Sequence, residues 1–195
     1  DGDLDKPFWR DVERTPVFAD LDAGARAHLD TRAALQWDDD GLYIGFWVSD
    51  PDVRTLDTER SMMNWQENAV IVCLAFPGAV YELGVNPSGK TEPLTLVWKD
   101  AYPRGGHYDV PEFNLARLQP FVIDETQKKV HARGSRWGFE KWAFPGMQAA
   151  VRVDGALNDR HLIDRGWTAE IALPWSGMKL LDDKEILPPR RGTEL

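Results

Sequence analysis

The sequence is poor in cysteine, in long apolar runs and in clustered positive charge, and each shortage excludes a class of protein. Its one cysteine, Cys73, can form no intrachain disulfide, so burial must hold the fold. No apolar run approaches the ~20 residues of a helical membrane span. No signal-peptide pattern opens the sequence, which leaves a cytosolic protein or one whose leader has been removed. Lys and Arg number 23 against 32 Asp and Glu, a net charge of −9 that argues against nucleic acid as a partner. G-x-G-x-x-G, H-E-x-x-H and a Ser-His-Asp order are missing, and the four histidines lie far apart. What the chain has in excess is tryptophan, nine in 195 residues, a residue that often marks binding surfaces.

The stretch R-S-M-M-N-W-Q-E-N-A-V-I-V-C-L-A-F-P-G-A-V-Y-E-L-G-V-N-P-S-G, residues 60–89, organises the reading. Residues 69–76 are an unbroken apolar run rich in β-branched side chains, which predicts a strand buried on both faces. Pro77-Gly78 breaks it, and 79–85 alternates before Asn86-Pro87-Ser88-Gly89 turns the chain. Two antiparallel neighbours in the interior of one sheet are expected. Their period of two puts Val70, Val72, Leu74 and Phe76, then Tyr81, Leu83 and Val85, toward a core. Ile71, Cys73, Ala75, Glu82, Gly84 and Asn86 take the opposite face, with Cys73 read as a small core residue.

Further strands are expected at 31–37, 42–49, 94–98, 148–153 and 167–173, with Asp38-Asp39-Asp40-Gly41 and Asp154-Gly155 as turns. A hairpin pairing 120–124 with 129–133 is expected too. A short helical turn over 6–12 should bury Phe8 and Trp9. Many short strands with Gly, Pro and Asp turns predict an all-β fold, an antiparallel sandwich of two packed sheets of immunoglobulin-like or jelly-roll-like type.

The segments D-G-D-L-D-K-P-F-W, W-D-D-D-G-L-Y-I-G-F-W-V-S-D-P, N-W-Q-E-N-A-V-I-V, Y-E-L-G-V-N, V-D-G-A-L-N-D and G-W-T-A-E-I-A-L-P-W follow one another in an order that resembles the family 9 carbohydrate-binding modules. More broadly, the chain resembles the family-9-like group of the DOMON superfamily. The resemblance spans most of residues 1–195 as one domain, with 113–136 as an insertion. It implies an exported protein, extracellular or periplasmic, in which a non-catalytic module binds glycan ends and accompanies a glycoside hydrolase. It also implies a chain cut short by a final strand. Trp65 falls where such modules place a first stacking tryptophan. Ile71 stands where sugar-binding members carry an acid, and the second tryptophan would lie beyond Leu195.

A pyranose has an apolar C–H face and an equator of hydroxyls, so a sugar site needs an aromatic plane beside planar polar groups. Trp65, Glu67, Glu82 and Asn86 are the expected core of such a site, with Arg60, Trp98 and Trp142 reaching in from loops. The competing reading of Trp65 is a core or edge residue. Trp9, Trp37, Trp167 and Trp175 are read as structural, while Trp47 shares parity with Tyr43 and Gly45 and stays open. A structural calcium would take oxygen ligands from Asp50, Asp52, Asp154, Asn158 and Asp159 at strand ends; the same residues capping turns is the competing reading. Two other functions stay open. One is an accessory sandwich packing on a catalytic domain without a ligand of its own. The other is a haem b electron-transfer module using Met62, Met63, Met147, His107, His131 or His161.

Overall fold

A computed structural model describes residues 1–56, 68–123, 132–140, 142, 143, 145–184 and 187–189. The chain forms two compact units, one of Asp1–Val70, Gly84–Thr91 and Met147–Pro174, the other of Ile71–Leu83, Glu92–Gly146 and Trp175–Leu195. The fold is all-β with two antiparallel sheets, as the sequence predicts.

The first sheet joins β1 (Thr31–Trp37), β2 (Gly41–Ser49), β8 (Gln148–Asp154) and β9 (Gly166–Pro174) in the order β1-β2-β9-β8. Register explains its two faces. Leu42, Ile44 and Phe46 stand opposite Leu173, Ile171 and Ala169, and this stripe is buried. The other face carries Tyr43, Gly45 and Trp47 opposite Ala172, Glu170 and Thr168. The β1–β2 turn forms as expected, because Asp38 Oδ1 accepts the N–H groups of Asp40 (2.9 Å) and Gly41 (3.1 Å).

The N-terminal segment covers that second face. Gly2 has φ +74°, and a Cβ there would meet the Val151 carbonyl carbon at 2.6 Å, so only glycine lets the chain lie this close to β8. Helix α1 (Pro7–Arg10) then drops Trp9 into a small core with Leu4 and Ala34, flanked by Val12, Tyr43 and Trp47. Phe8, expected to be buried, is exposed, although its ring meets Trp9 and Tyr43 edge-on. A four-residue helix can bury one side only.

Glu170 ties this cover down. Its carboxylate accepts Trp9 Nε1–H at 2.9 Å and Lys6 Nζ at 2.7 Å. Burial pushes its acidity toward weaker, but the bonds from Lys6 and Trp9 win and hold the carboxyl below its ordinary value of 4.5. A depressed carboxylate stabilises the fold fully above its unfolded value, and that contribution is lost as pH falls through the folded one. Urea midpoints of the wild type should therefore fall as the pH is lowered below about 4.5. Glu170→Gln should flatten that dependence. An equally steep fall in the variant would show that Glu170 does not carry it.

The second sheet joins β3 (Val70–Ala75), β4 (Ala79–Val85), β5 (Thr91–Trp98), β6 (Phe121–Ile123) and β7 (Arg136–Phe139) in the order β3-β4-β5-β7-β6. The expected neighbours β3 and β4 are adjacent, but β3 is an edge strand rather than an interior one. Only one of its faces is buried: Val70 and Val72 are, whereas Ile71 and Cys73 are exposed. The expected β6 hairpin has a different partner. Its strand pairs with 136–139, placing Phe121 opposite Gly138, while the 129–131 part of the expected partner lies outside the described residues. In the same unit Tyr81, Phe113, Phe139 and Trp142 meet ring to ring at 4.9–6.0 Å, beside the buried Tyr108.

Candidate functional site

Of the expected glycan residues that are described, Asn86 and Trp142 stand apart from Glu82 and Trp98. Arg60, Trp65 and Glu67 lie outside the described residues. Asn86, expected at an open rim, is 1 % exposed. Its Nδ2 donates to Thr55 Oγ1 at 2.9 Å, and its Oδ1 accepts from Ser88 N, Ser88 Oγ and Lys90 N at 2.8–3.1 Å. The strand ends at Val85, so Asn86 belongs to the turn and not to the face of β4.

Trp142 is likewise corrected. Its ring packs on Tyr81 and Phe113, on the side of β4 away from Glu82. Trp98 is no loop residue: it ends β5, is 6 % exposed, and has the Arg133 and Arg136 guanidinium carbons at 5.1 and 5.0 Å from its ring centroid. Glu82 is half-buried. Burial raises its pKa, and the positive charge of Arg136 pulls the other way, so Arg136 is the neighbour that Glu82 and Trp98 share.

Cys73 lies on the exposed side of the edge strand, not in the core. Its thiol is raised above the usual 9.0, first by partial burial and then by the charge of Glu82. Ellman's reagent should therefore reach Cys73 in the native protein but react more slowly at pH 8 than with a free thiol. Glu82→Gln should speed the reaction by lowering the thiol's pKa. A thiol inert until the protein unfolds, or indifferent to Glu82→Gln, would refute this placement.

The proposed calcium ligands spend oxygens on backbone and side-chain donors. Asp50 accepts Asp52 N at 3.0 Å and Asn68 Nδ2 at 2.7 Å, and Asp52 accepts Arg54 Nε at 2.7 Å. Asn158 Oδ1 accepts Thr55 N at 3.0 Å, and Asp159 Oδ1 accepts His161 N at 2.9 Å. Turn capping is thus visible at Asp50 and Asp159. Among the described residues no three His, Cys, Asp or Glu side chains are grouped to hold a metal ion. Of the haem candidates, Met62, Met63 and His131 lie outside the described residues, and His161 is exposed. His107 Nε2 lies 2.9 Å from the Leu180 carbonyl oxygen, with its ring edge-on to Tyr108.

The residues that do converge are on the Tyr43, Gly45 and Trp47 face of the four-stranded sheet. Register sets Trp47 of β2, Thr168 of β9 and Arg152 of β8 in one row across three strands. The next row is Ser49, Gly166 and Asp154. The N-terminal Asp3-Leu4-Asp5 lies alongside, and Arg165 closes one end, so that a cleft of about 450 Å3 opens between them. That volume falls in the range of small-molecule sites.

Its walls are mixed. Trp47 and Leu4 give apolar surface, with the Arg14 guanidinium 3.8 Å from the centroid of the Trp47 ring and Trp9 edge-on to it. Arg152 pairs with Asp3 at 3.1 Å, and Arg165 lies 3.7 Å from Asp154. Thr168 Oγ1 donates to the Gly2 carbonyl at 2.6 Å and helps hold the N-terminal wall. Beneath this end, the buried Asp164 accepts Val53 N and Ala156 N, both at 2.8 Å, and so fixes the turn that carries Asp154 and Arg165. A second hollow of about 400 Å3, lined by Asp109, Val110, Pro111, Asn114 and Arg117, has no aromatic wall.

Sequence reading missed this cleft. Trp47's parity was visible, but the D-x-D segment reaches β9 from more than 160 residues away, and nothing local signals that approach.

Fold and cleft together define an all-β protein of two antiparallel sheets with a small-molecule-sized, polar and partly aromatic hollow on one sheet face. Compared with protein-family models, curated proteins and solved structures, the chain matches none. No helix among the described residues is long and apolar enough to cross a membrane.

Proposed function

We propose that this protein is a non-catalytic carbohydrate-binding module, similar to the family 9 modules its motifs resemble. The cleft on the Trp47 face of the four-stranded sheet is then its glycan site. The observation that supports this most is the cleft's composition: two Arg–Asp pairs, Ser49 and the free Asp5 ring an apolar wall of Trp47 and Leu4. Guanidinium and carboxylate forks bridge neighbouring hydroxyls of a sugar equator, and the wall takes its C–H groups. With Trp47 offering an edge rather than a free face, affinity is weak, on the order of 0.1 to 1 mM.

A glycan array and calorimetric titration on the whole chain test the reading. Arg165→Ala, at a solvent-exposed side chain, should weaken binding without moving the melting temperature. Trp65→Ala serves as the comparison, because loss of binding there alone would move the site to Trp65. The accessory-domain reading draws on the exposed apolar pair Leu162 and Ile163, and it gains if no glycan binds. A Soret band in the purified protein would instead favour haem.

A further inference from the structure

We infer that the cleft selects its sugar by charge, taking a glycan end that carries a free ammonium group, a hexosamine, ahead of neutral sugars and against uronates. This inference rests on reading the cleft as a glycan site. Two independent observations carry it.

The first is where the net charge resides. The unit that holds the cleft has 20 Asp and Glu against 11 Lys and Arg, a net −9; the other unit has 12 against 12 and is neutral. The chain's net charge therefore falls within the unit that holds the cleft. A field of one sign raises the local concentration of counter-charged solutes and repels like-charged ones.

The second is the cleft's own balance. Asp3, Asp5 and Asp154 face Arg152 and Arg165. Asp3 neutralises Arg152 at 3.1 Å, and Asp154 lies 3.7 Å from Arg165. Asp5 is left over. Its backbone N–H donates to Asp3 Oδ1 at 2.9 Å, but among the described residues its exposed carboxylate has no ion pair or hydrogen bond. A protonated amine on a sugar ring supplies three donors to such an acceptor. A uronate would set its carboxylate against Asp5 while having to displace Asp3 or Asp154 from its arginine.

The test titrates the whole chain with tetramers of glucosamine, of glucose and of a uronate, at about 20 mM and about 0.5 M salt, which spans long and short screening lengths. The glucosamine tetramer should bind roughly three- to fivefold tighter than the glucose tetramer at low salt, as one exposed ion pair allows. That ratio should fall toward one at high salt, and the uronate should bind weakest. Asp5→Asn should cut the ratio, whereas Asp39→Asn should leave it unchanged. Asp39 makes the same charge change in the exposed turn at the far end of β2. Equal effects of the two variants would mean diffuse attraction and overturn the inference. So would a glucose or uronate tetramer that binds as tightly as the glucosamine one. No binding by any of the three would overturn the glycan reading itself, and this inference with it.

Discussion

Asp164→Ala should cost about 3 to 5 kcal/mol of stability, the largest single-site loss expected in this protein. Asp164 is buried, and each of its oxygens accepts one backbone N–H, from Val53 and from Ala156. Alanine leaves the buried Val53 N–H unpaired and takes the acceptor from the part-buried Ala156 N–H. Gly155 makes the site unforgiving from the other side. With φ +149° it has no room for a side chain, since a Cβ there would lie 2.0 Å from Asp164 Oδ1. For a chain of this size the loss corresponds to a fall in melting temperature on the order of 10 °C. Asp164→Asn should recover part of it, because one amide oxygen can replace one of two acceptors. Binding should suffer as well, because the turn that Asp164 fixes carries Asp154 and Arg165 into the cleft. Asp159→Ala is the control: it removes an exposed cap and should stay within about 1 kcal/mol. A melting curve of Asp164→Ala that overlays the wild type would contradict this account of the loop.

Asn86→Ala should cost about 2 to 3 kcal/mol and leave sugar affinity nearly unchanged in the protein that remains folded. The carboxamide closes the 86–90 turn through Ser88 and Lys90 and anchors it to Thr55. Removing it breaks the buried bond to Thr55 and the bond from the Lys90 N–H together. Asn86→Asp should fall between wild type and alanine, since it keeps the accepting oxygen and loses the donor to Thr55. Differential scanning calorimetry with the three proteins reads the order directly. A stable Asn86→Ala that no longer binds glycan would return Asn86 to the role of ligand that its strand parity suggested.

That parity shows how far the sequence could be read. Alternation located β1, β2, β4, β8 and β9 within a residue or two, and the D-D-D-G turn was placed by its side-chain chemistry. The same rule misled at Asn86, where N-P-S-G already marks a turn and the side chain serves that turn. In β3 an all-apolar run read as burial on both faces. Cys73 and Ala75 are small enough to stand exposed on an edge at little cost, and Ile71 is only 39 % exposed there. Strand β7 escaped because Arg136 and Gly138 break its pattern. The glycine is needed there, since a Cβ would meet the Phe121 ring at 2.3 Å. Trp37 was read as structural and is 68 % exposed, at the end of an edge strand where nothing local records the absence of a neighbour.

The cleft was the least legible part. It is made by register, which aligns Trp47, Thr168 and Arg152, and by a cover segment whose glycine at position 2 and Glu170 anchor are separated by most of the chain. Individual residues carry no trace of such an arrangement. The resemblance to carbohydrate-binding modules directed attention to Trp65 and the strand after it, whereas the described hollow of mixed polar and apolar lining lies on the other sheet.

The most direct test follows the tryptophan indole N–H signals of the 15N-labelled chain during titration with sugars that bind on an array. Trp47 alone among Trp37, Trp47, Trp98 and Trp142 lines the cleft, so its signal should move with saturation while the other three stay fixed. Arg165→Ala should shift the same titration to higher sugar concentration. Movement of the Trp65 or Trp98 signal with a stationary Trp47 would place the glycan elsewhere and contradict the cleft as the binding site.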